Sequence, residues 1–314
     1  MKNSNIQKVI LPREYSILPE SIDFIIPGFK RCYAPGDKTL TLSHRNCTQW
    51  YNEFVDRLVA ACGCEFLPVC RMSDGEFKFA LGNQPPSKRL PLGLRVKRRF
   101  LGVVERLAVE VKGFQAATGN LYSSGNYTKD EWFKKRKQYA EMLCEIGKKG
   151  ILALHLSYGE VPFQEHYFPA LGHRLKENHI MLTDENYFPF YFVYAALTGP
   201  RRGELLKGRR VLIVNGASGE KRQKIEAGLR HEGVAEVLWH MISLDRSLYD
   251  RLDLDPYIGK IDLAIVGAGI GKPNILTQMG PLKVPCIDAG YVFEVWADPN
   301  SKWERAFCSP DDIL

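Results

Sequence analysis

The chain has 314 residues, 45% hydrophobic and 25% charged. That is enough apolar material for one large or two modest cores and too ordinary a charge content for disorder. The formal net charge of +7 suits an anionic ligand and is too weak for a dedicated nucleic-acid binder, so nucleic acid is not expected as a partner.

Residues 1–15 contain no apolar stretch of the signal-peptide kind. The longest apolar run, 188–197, is interrupted by Pro189 and falls well short of the ~20 residues that cross a bilayer. The expectation is a cytoplasmic protein without a transmembrane segment. Residues 1–45 carry prolines at 12, 19, 27 and 35 with no period, and are expected to form an irregular N-terminal extension ahead of a main domain over 46–314.

A helix is predicted over 46–62, where Trp50, Phe54, Leu58 and Val59 recur at helical spacing. A strand over 65–70 runs into Arg71-Met-Ser-Asp-Gly-Glu76 and a helix over 77–81. A loop over 84–91, a basic helix over 94–115 and a Gly/Ser/Asn-rich loop over 119–126 precede a helix over 129–147. From there strands and helices alternate. Strands are predicted over 151–156, 180–182, 210–215, 236–240, 262–266 and 284–288, and helices over 162–177, 185–197, 220–232, 244–252 and 273–279, with a last helix after 288. Such alternation predicts an α/β fold with a doubly wound, mainly parallel, Rossmann-like sheet. Its near-continuous Val/Ile/Leu strands suit burial on both faces. The segment 199–207 (GPRRGELLK) reads either as a domain boundary or as a surface loop. The eight cysteines (32, 47, 62, 64, 70, 144, 286 and 308) include no C-x-x-C pair and are read as mostly buried, reduced thiols.

Ligands of open α/β sheets bind beyond the carboxyl ends of the strands. Five such ends here are rich in glycine and polar residues: 71–76, 157–160, 215–219, 267–272 and 288–290. In the first, Asp74 and Glu76 flank Gly75 in a strand-to-helix turn. Carboxylates two positions apart share a side of an extended segment. With diphosphate oxygens and water they would make a hard-oxygen site for Mn²⁺ or Mg²⁺. Arg71 would add bidentate phosphate binding. The structural alternative is a helix N-cap at Asp74 with a first-turn carboxylate at Glu76.

Asn215, Gly216 and Ala217 open a helix after the strand RVLIVN, where backbone N–H groups can cradle a phosphate. A tight strand–helix turn explains them as well. Gly267 and Gly269 belong to a glycine cluster beside Lys272 that matches neither G-x-G-x-x-G nor the P-loop. Glu160 is the candidate general base for an acceptor hydroxyl, with Asp288 in reserve; the alternative for Glu160 is a solvated loop carboxylate. His155 reads as a core histidine, and the aromatic stretch 187–194 as core. The basic run Lys88, Arg89, Arg95, Lys97, Arg98 and Arg99 is read as a solvated helix face, with peripheral contact to an anionic membrane, an acidic acceptor or a phosphate as its functional options.

Taken together, these segments resemble the GT-D type glycosyltransferases, over roughly residues 65–297. The turn Arg71-Met-Ser-Asp-Gly-Glu76 looks like that family's D-x-E metal motif. RVLIVNGASG, DLAIVGAGIGKPNILTQM and VPCIDAGYVFEVW look like its three later signature segments. The resemblance implies a Rossmann-like fold, a UDP-sugar donor, Mn²⁺ or Mg²⁺, and metal ligation at Asp74 and Glu76. The sequence departs from the pattern where the family's His and Asp fall on Tyr291 and Phe293, and where Asn215 replaces a Glu.

The expected activity is transfer of a hexose from a nucleotide-diphosphate sugar to a glycan or protein hydroxyl, in glycan or glycoprotein biosynthesis. The nucleotide-sugar is expected on Arg71, Gly75, Asn215, Gly216, Ala217, Gly267, Gly269 and Asp288. Two other classes stay open: a Rossmann NAD- or SAM-dependent enzyme using the glycine turns, and a non-catalytic nucleotide-sugar-binding module of a polysaccharide assembly system.

Overall fold

The structure is a computed structural model that describes residues 16–17, 38–41, 47–72, 76, 127, 129–154, 157–158, 175, 178–180, 182–183 and 185–298. In chain order its strands and helices are β1 (Ser16–Ile17), β2 (Lys38–Thr41), α1 (Cys47–Ala61), β3 (Leu67–Met72), α2 (Lys129–Lys149), β4 (Ile151–Leu154), β5 (Ser157–Tyr158), β6 (Tyr187–Pro189), α3 (Phe190–Thr198), α4 (Arg202–Leu206), β7 (Arg210–Asn215), α5 (Gly219–His231), β8 (Glu236–Met241), β9 (Leu263–Gly267), α6 (Lys272–Gln278), β10 (Pro285–Asp288) and α7 (Val292–Ala297).

Seven strands form one sheet in the order β6-β4-β3-β10-β9-β7-β8, and every pairing in it is parallel. The expected Rossmann-like α/β architecture is therefore present. Parallel strands need crossover connections, and right-handed crossovers fix which face each helix covers. β7–α5–β8 and β9–α6–β10 step along the sheet in opposite directions, so α5 and α6 lie on opposite faces. α6 packs against α2 on one face, while α5 packs on α7, and α3 on α1, α4 and α7, on the other. With both faces covered, β3, β4 and β10 are buried from end to end.

The core joins the sheet to an aromatic cluster in which Trp50 and Phe54 of α1 meet Phe188 and Phe192 at ring separations of 5.1–6.0 Å. Fully burying each such side chain is worth about 1.5–3 kcal/mol. No helix among the described residues is long and apolar enough to cross a membrane.

Three expected elements differ. The strand predicted over 180–182 is replaced by β6, at the start of the helix predicted over 185–197. Thr183 and Asn186 build a turn there: the Asn186 carboxamide oxygen accepts the Thr183 N–H (2.8 Å), and the Thr183 hydroxyl accepts the Asn186 N–H (3.2 Å). Pro189 then biases Phe188 to extended backbone, and the helix begins at Phe190.

The helix predicted over 244–252 is a single 3₁₀ turn, Ser247–Tyr249. Asp250 accepts both the N–H and the hydroxyl of Ser243 (2.6 Å each), which bends the segment. Asn274 donates to the carbonyls of Ser247 and Asp250 (3.0 and 2.9 Å), where a helix would use the first of these internally.

The irregular extension contains two short strands. β1 pairs antiparallel with β2, and β2 with β5, in a separate three-stranded sheet.

Candidate active site at the carboxyl edge of the sheet

The chain leaves β7 toward β8 and β9 toward β10, so the two neighbouring strands β7 and β9 send their connections in opposite directions. This is the switch point at which open α/β sheets form a ligand crevice. Its two strand ends are tied together. The Asn215 carboxamide donates to the Gly267 carbonyl (3.0 Å) and accepts the Ala217 N–H (2.7 Å).

The expected glycines are occupied by the protein itself. A Cβ on Gly267 would lie 2.2 Å from Asn215 Nδ2 and 2.4 Å from Phe293, and one on Gly216 would lie 2.8 Å from the Leu244 backbone. One on Gly271 would lie 2.1 Å from Ser247 Oγ, whose hydroxyl donates to the Ala268 carbonyl (2.7 Å). Internal packing therefore accounts for these three glycines without a phosphate. Gly269 adopts a positive φ of 50° at the start of the turn into α6.

Charged groups gather beside it, at the end of the adjoining strand β10. Asp288 ends the central strand β10, at 1% side-chain exposure. Its Oδ1 accepts Arg71 Nη2 at 3.2 Å, and its backbone carbonyl accepts Arg71 Nε at 2.6 Å. Its Oδ2 accepts the Arg71 backbone N–H at 3.3 Å and meets Lys272 Nζ at 3.0 Å. Lys272, 3% exposed at the first position of α6, also reaches Glu76 Oε1 at 2.6 Å. Asp288 thus joins Arg71 of the neighbouring strand β3 to Lys272 at the start of α6.

The Arg71 guanidinium donates to the Tyr194 hydroxyl and lies 5.0 and 4.7 Å over the rings of Phe190 and Tyr194, an arrangement that cation–π attraction favours. Gly290, at φ +51°, leaves room for it: a Cβ there would lie 1.8 Å from Arg71 Nη2.

Electrostatics keep both cations charged. Burial is the largest single effect and pulls each pKa down, but Asp288 together with Tyr194 and Glu76 at Arg71, and together with Glu76 at Lys272, outweighs it, so both end above their ordinary values. Burial raises the Tyr194 hydroxyl, against the opposing pull of Arg71, and keeps it neutral. The four charged side chains Arg71, Glu76, Lys272 and Asp288 sum to a neutral set.

The structure therefore brings Arg71, Glu76 and Asp288 together and places Asn215, Gly216, Ala217 and Gly267 at the nearby carboxyl ends of β7 and β9. Asp74, Gly75, Glu160, His155 and the basic run over 88–99 lie outside the described residues. Lys272 and Tyr194 are the participants that the sequence reading missed. The signal for Lys272 was a lone cation just after a glycine turn in an otherwise apolar stretch. Tyr194 was correctly read as core, but its hydroxyl also serves Arg71.

Mn²⁺ and Mg²⁺ need carboxylate oxygens that face the ion. Here Glu76 Oε1 and Asp288 Oδ2 converge on an ammonium, and Asp288 Oδ1 is held by Arg71. Among the described residues no group of three or more His, Cys, Asp or Glu could hold a metal. A second cation roughly 4 Å from the ammonium would meet about 4 kcal/mol of repulsion per unit charge at an effective dielectric near 20. The described acids therefore do not fit a divalent ion. Compared with protein-family models, curated proteins and solved structures, the chain matches none.

Proposed function

We propose that the chain is a glycosyltransferase that moves a sugar from a nucleotide diphosphate, with UDP as the nucleotide, to a hydroxyl of a glycan or protein acceptor. The observation that carries this reading is the convergence of Arg71, Glu76, Lys272 and Asp288 at the carboxyl edge of an all-parallel sheet. There two buried cations can oppose the negative charge that builds on a leaving diphosphate.

In the reaction, the acceptor oxygen attacks the anomeric carbon. The bond from that carbon to the diphosphate oxygen breaks, and its electron pair leaves with the nucleoside diphosphate. The acceptor proton passes to a carboxylate, the role we assign to Glu160. Asp288 is already engaged by Arg71 and Lys272, and it serves to position those cations. The crevice beside Asn215 receives the nucleoside. Because Glu76 is paired with Lys272, the charge on the leaving diphosphate is met in this reading by Arg71 and Lys272. The proposal includes the cytosolic location expected from the sequence, in keeping with the free thiols of Cys62, Cys64, Cys70, Cys144 and Cys286.

The test is hydrolysis of a UDP-sugar panel, which needs no acceptor, run in parallel with Mn²⁺ and with EDTA. At least one donor should release UDP, and in EDTA Lys272→Met should suppress that release by about 10²-fold or more, the scale of losing one preorganised charge-stabilising group. No release from any donor in either condition, together with no saturable UDP binding, would refute the reading.

A further inference from the structure

Two acids brought together at a strand edge need a counter-charge. We propose that the ammonium of Lys272 is the resident cation of this site. It sits between Glu76 and Asp288, in the place a divalent metal shared by these two acids would need, so they take up Mn²⁺ or Mg²⁺ only when Lys272 is removed.

The geometry supplies the argument. Lys272 Nζ lies 2.6 Å from Glu76 Oε1 and 3.0 Å from Asp288 Oδ2, with all three side chains largely or wholly buried. An ion seated between these oxygens would have to displace Nζ, and Nζ is anchored by its helix. Gly271 is wedged on Ser247, Ser247 Oγ holds the Ala268 carbonyl, and Asn274 holds the carbonyls of Ser247 and Asp250. The start of α6 therefore cannot swing outward without breaking these contacts.

Charge leads to the same conclusion. The set Arg71, Glu76, Lys272 and Asp288 is already neutral, so a divalent ion would leave buried positive charge uncompensated. Removing only the Lys272 charge turns the set net negative and frees two carboxylate oxygens of the type that hard cations use. The inference concerns the cation alone and stands or falls apart from the sugar-transfer reading.

The experiment titrates Mn²⁺ into the full chain and follows the free ion by room-temperature EPR. Wild type and Glu76→Gln should take up the same small amount at about 1 mM Mn²⁺. Lys272→Met should gain one Mn²⁺ per chain at an affinity about tenfold or more above wild type, and the gain should vanish in Lys272→Met/Glu76→Gln. A wild-type chain that binds one Mn²⁺ lost on Glu76→Gln overturns the inference, as does a folded Lys272→Met with no gain. If Lys272→Met does not fold, the comparison of wild type with Glu76→Gln decides by itself.

Discussion

The Asp288→Asn substitution isolates the electrostatic role of the central carboxylate. Asparagine keeps the shape, and its carboxamide oxygen can still accept one hydrogen bond. The negative charge is lost, and two buried cations then face Glu76 alone. Arg71 keeps the carbonyl of residue 288 and Tyr194, while Lys272 keeps Glu76. Removing one partner of a buried ion pair costs about 3–5 kcal/mol, because the remaining charge is left uncompensated. With a urea dependence of about 2–3 kcal/mol per molar, the unfolding midpoint should fall by about 1–2.5 M.

The decisive form of the measurement is a double-mutant cycle with Lys272→Met. That second change removes the excess positive charge, so the double variant should be more stable than the sum of the two single losses predicts, by about 1–3 kcal/mol. Equilibrium urea denaturation followed by tryptophan fluorescence reads all four proteins. Additive losses, or a wild-type midpoint for Asp288→Asn, would show that these charges do not interact as argued.

Other expectations follow from single contacts. Gly290→Ala should destabilise by more than about 2 kcal/mol, the sum of a left-handed φ and the displacement of Arg71 from a Cβ position 1.8 Å from its Nη2; thermal denaturation checks this. Asn215→Ala removes two hydrogen bonds at the β7–β9 strand ends and should cost about 1–3 kcal/mol in the same assay. Burial pulls the His240 pKa down, against weaker opposing effects of Asp253 and Asp250. The unfolded chain therefore binds the proton more readily, and stability falls as pH drops below the ordinary histidine value near 6.5. Urea midpoints at about pH 7.5 and 5.5 should show a smaller acid loss in His240→Gln than in wild type. A thiol reagent followed by peptide mass mapping should modify exposed Cys64 early. Cys62, whose thiol burial pushes up to about 11, and fully buried Cys70 and Cys286 should stay protected until unfolding.

Much of the fold was legible because the sheet is buried on both faces. Stretches such as RVLIVN and PCID read as strands with no tertiary information, and Asn215 and Asp288 could be placed at carboxyl ends in advance. The failures occurred where side chains take over backbone hydrogen bonds. Asn274 donates to the Ser247 carbonyl that a helix over 244–252 would use internally, and Thr183 with Asn186 makes the turn that delivers β6. Neither competition is visible as periodicity.

The site divides in the same way. Arg71, Glu76 and Asp288 were found because polar residues at strand ends stand out locally. Lys272 was passed over because its partners lie on β10 and beyond β3, and only the strand order β3-β10-β9 brings them to its ammonium. The glycine turns gave an ambiguous cue, since a glycine demanded by Ser247 or Phe293 looks in sequence like one demanded by a phosphate.

The central claim, that a nucleotide diphosphate binds at the carboxyl edge over this charge cluster, is tested most directly by hydrogen–deuterium exchange with and without saturating UDP. The account predicts slowed exchange in segments 71–76, 267–272 and 288–291, all at one end of the sheet, and loss of that protection in Lys272→Met. Exchange unchanged by UDP, or slowed only at the amino ends of the strands, would contradict it.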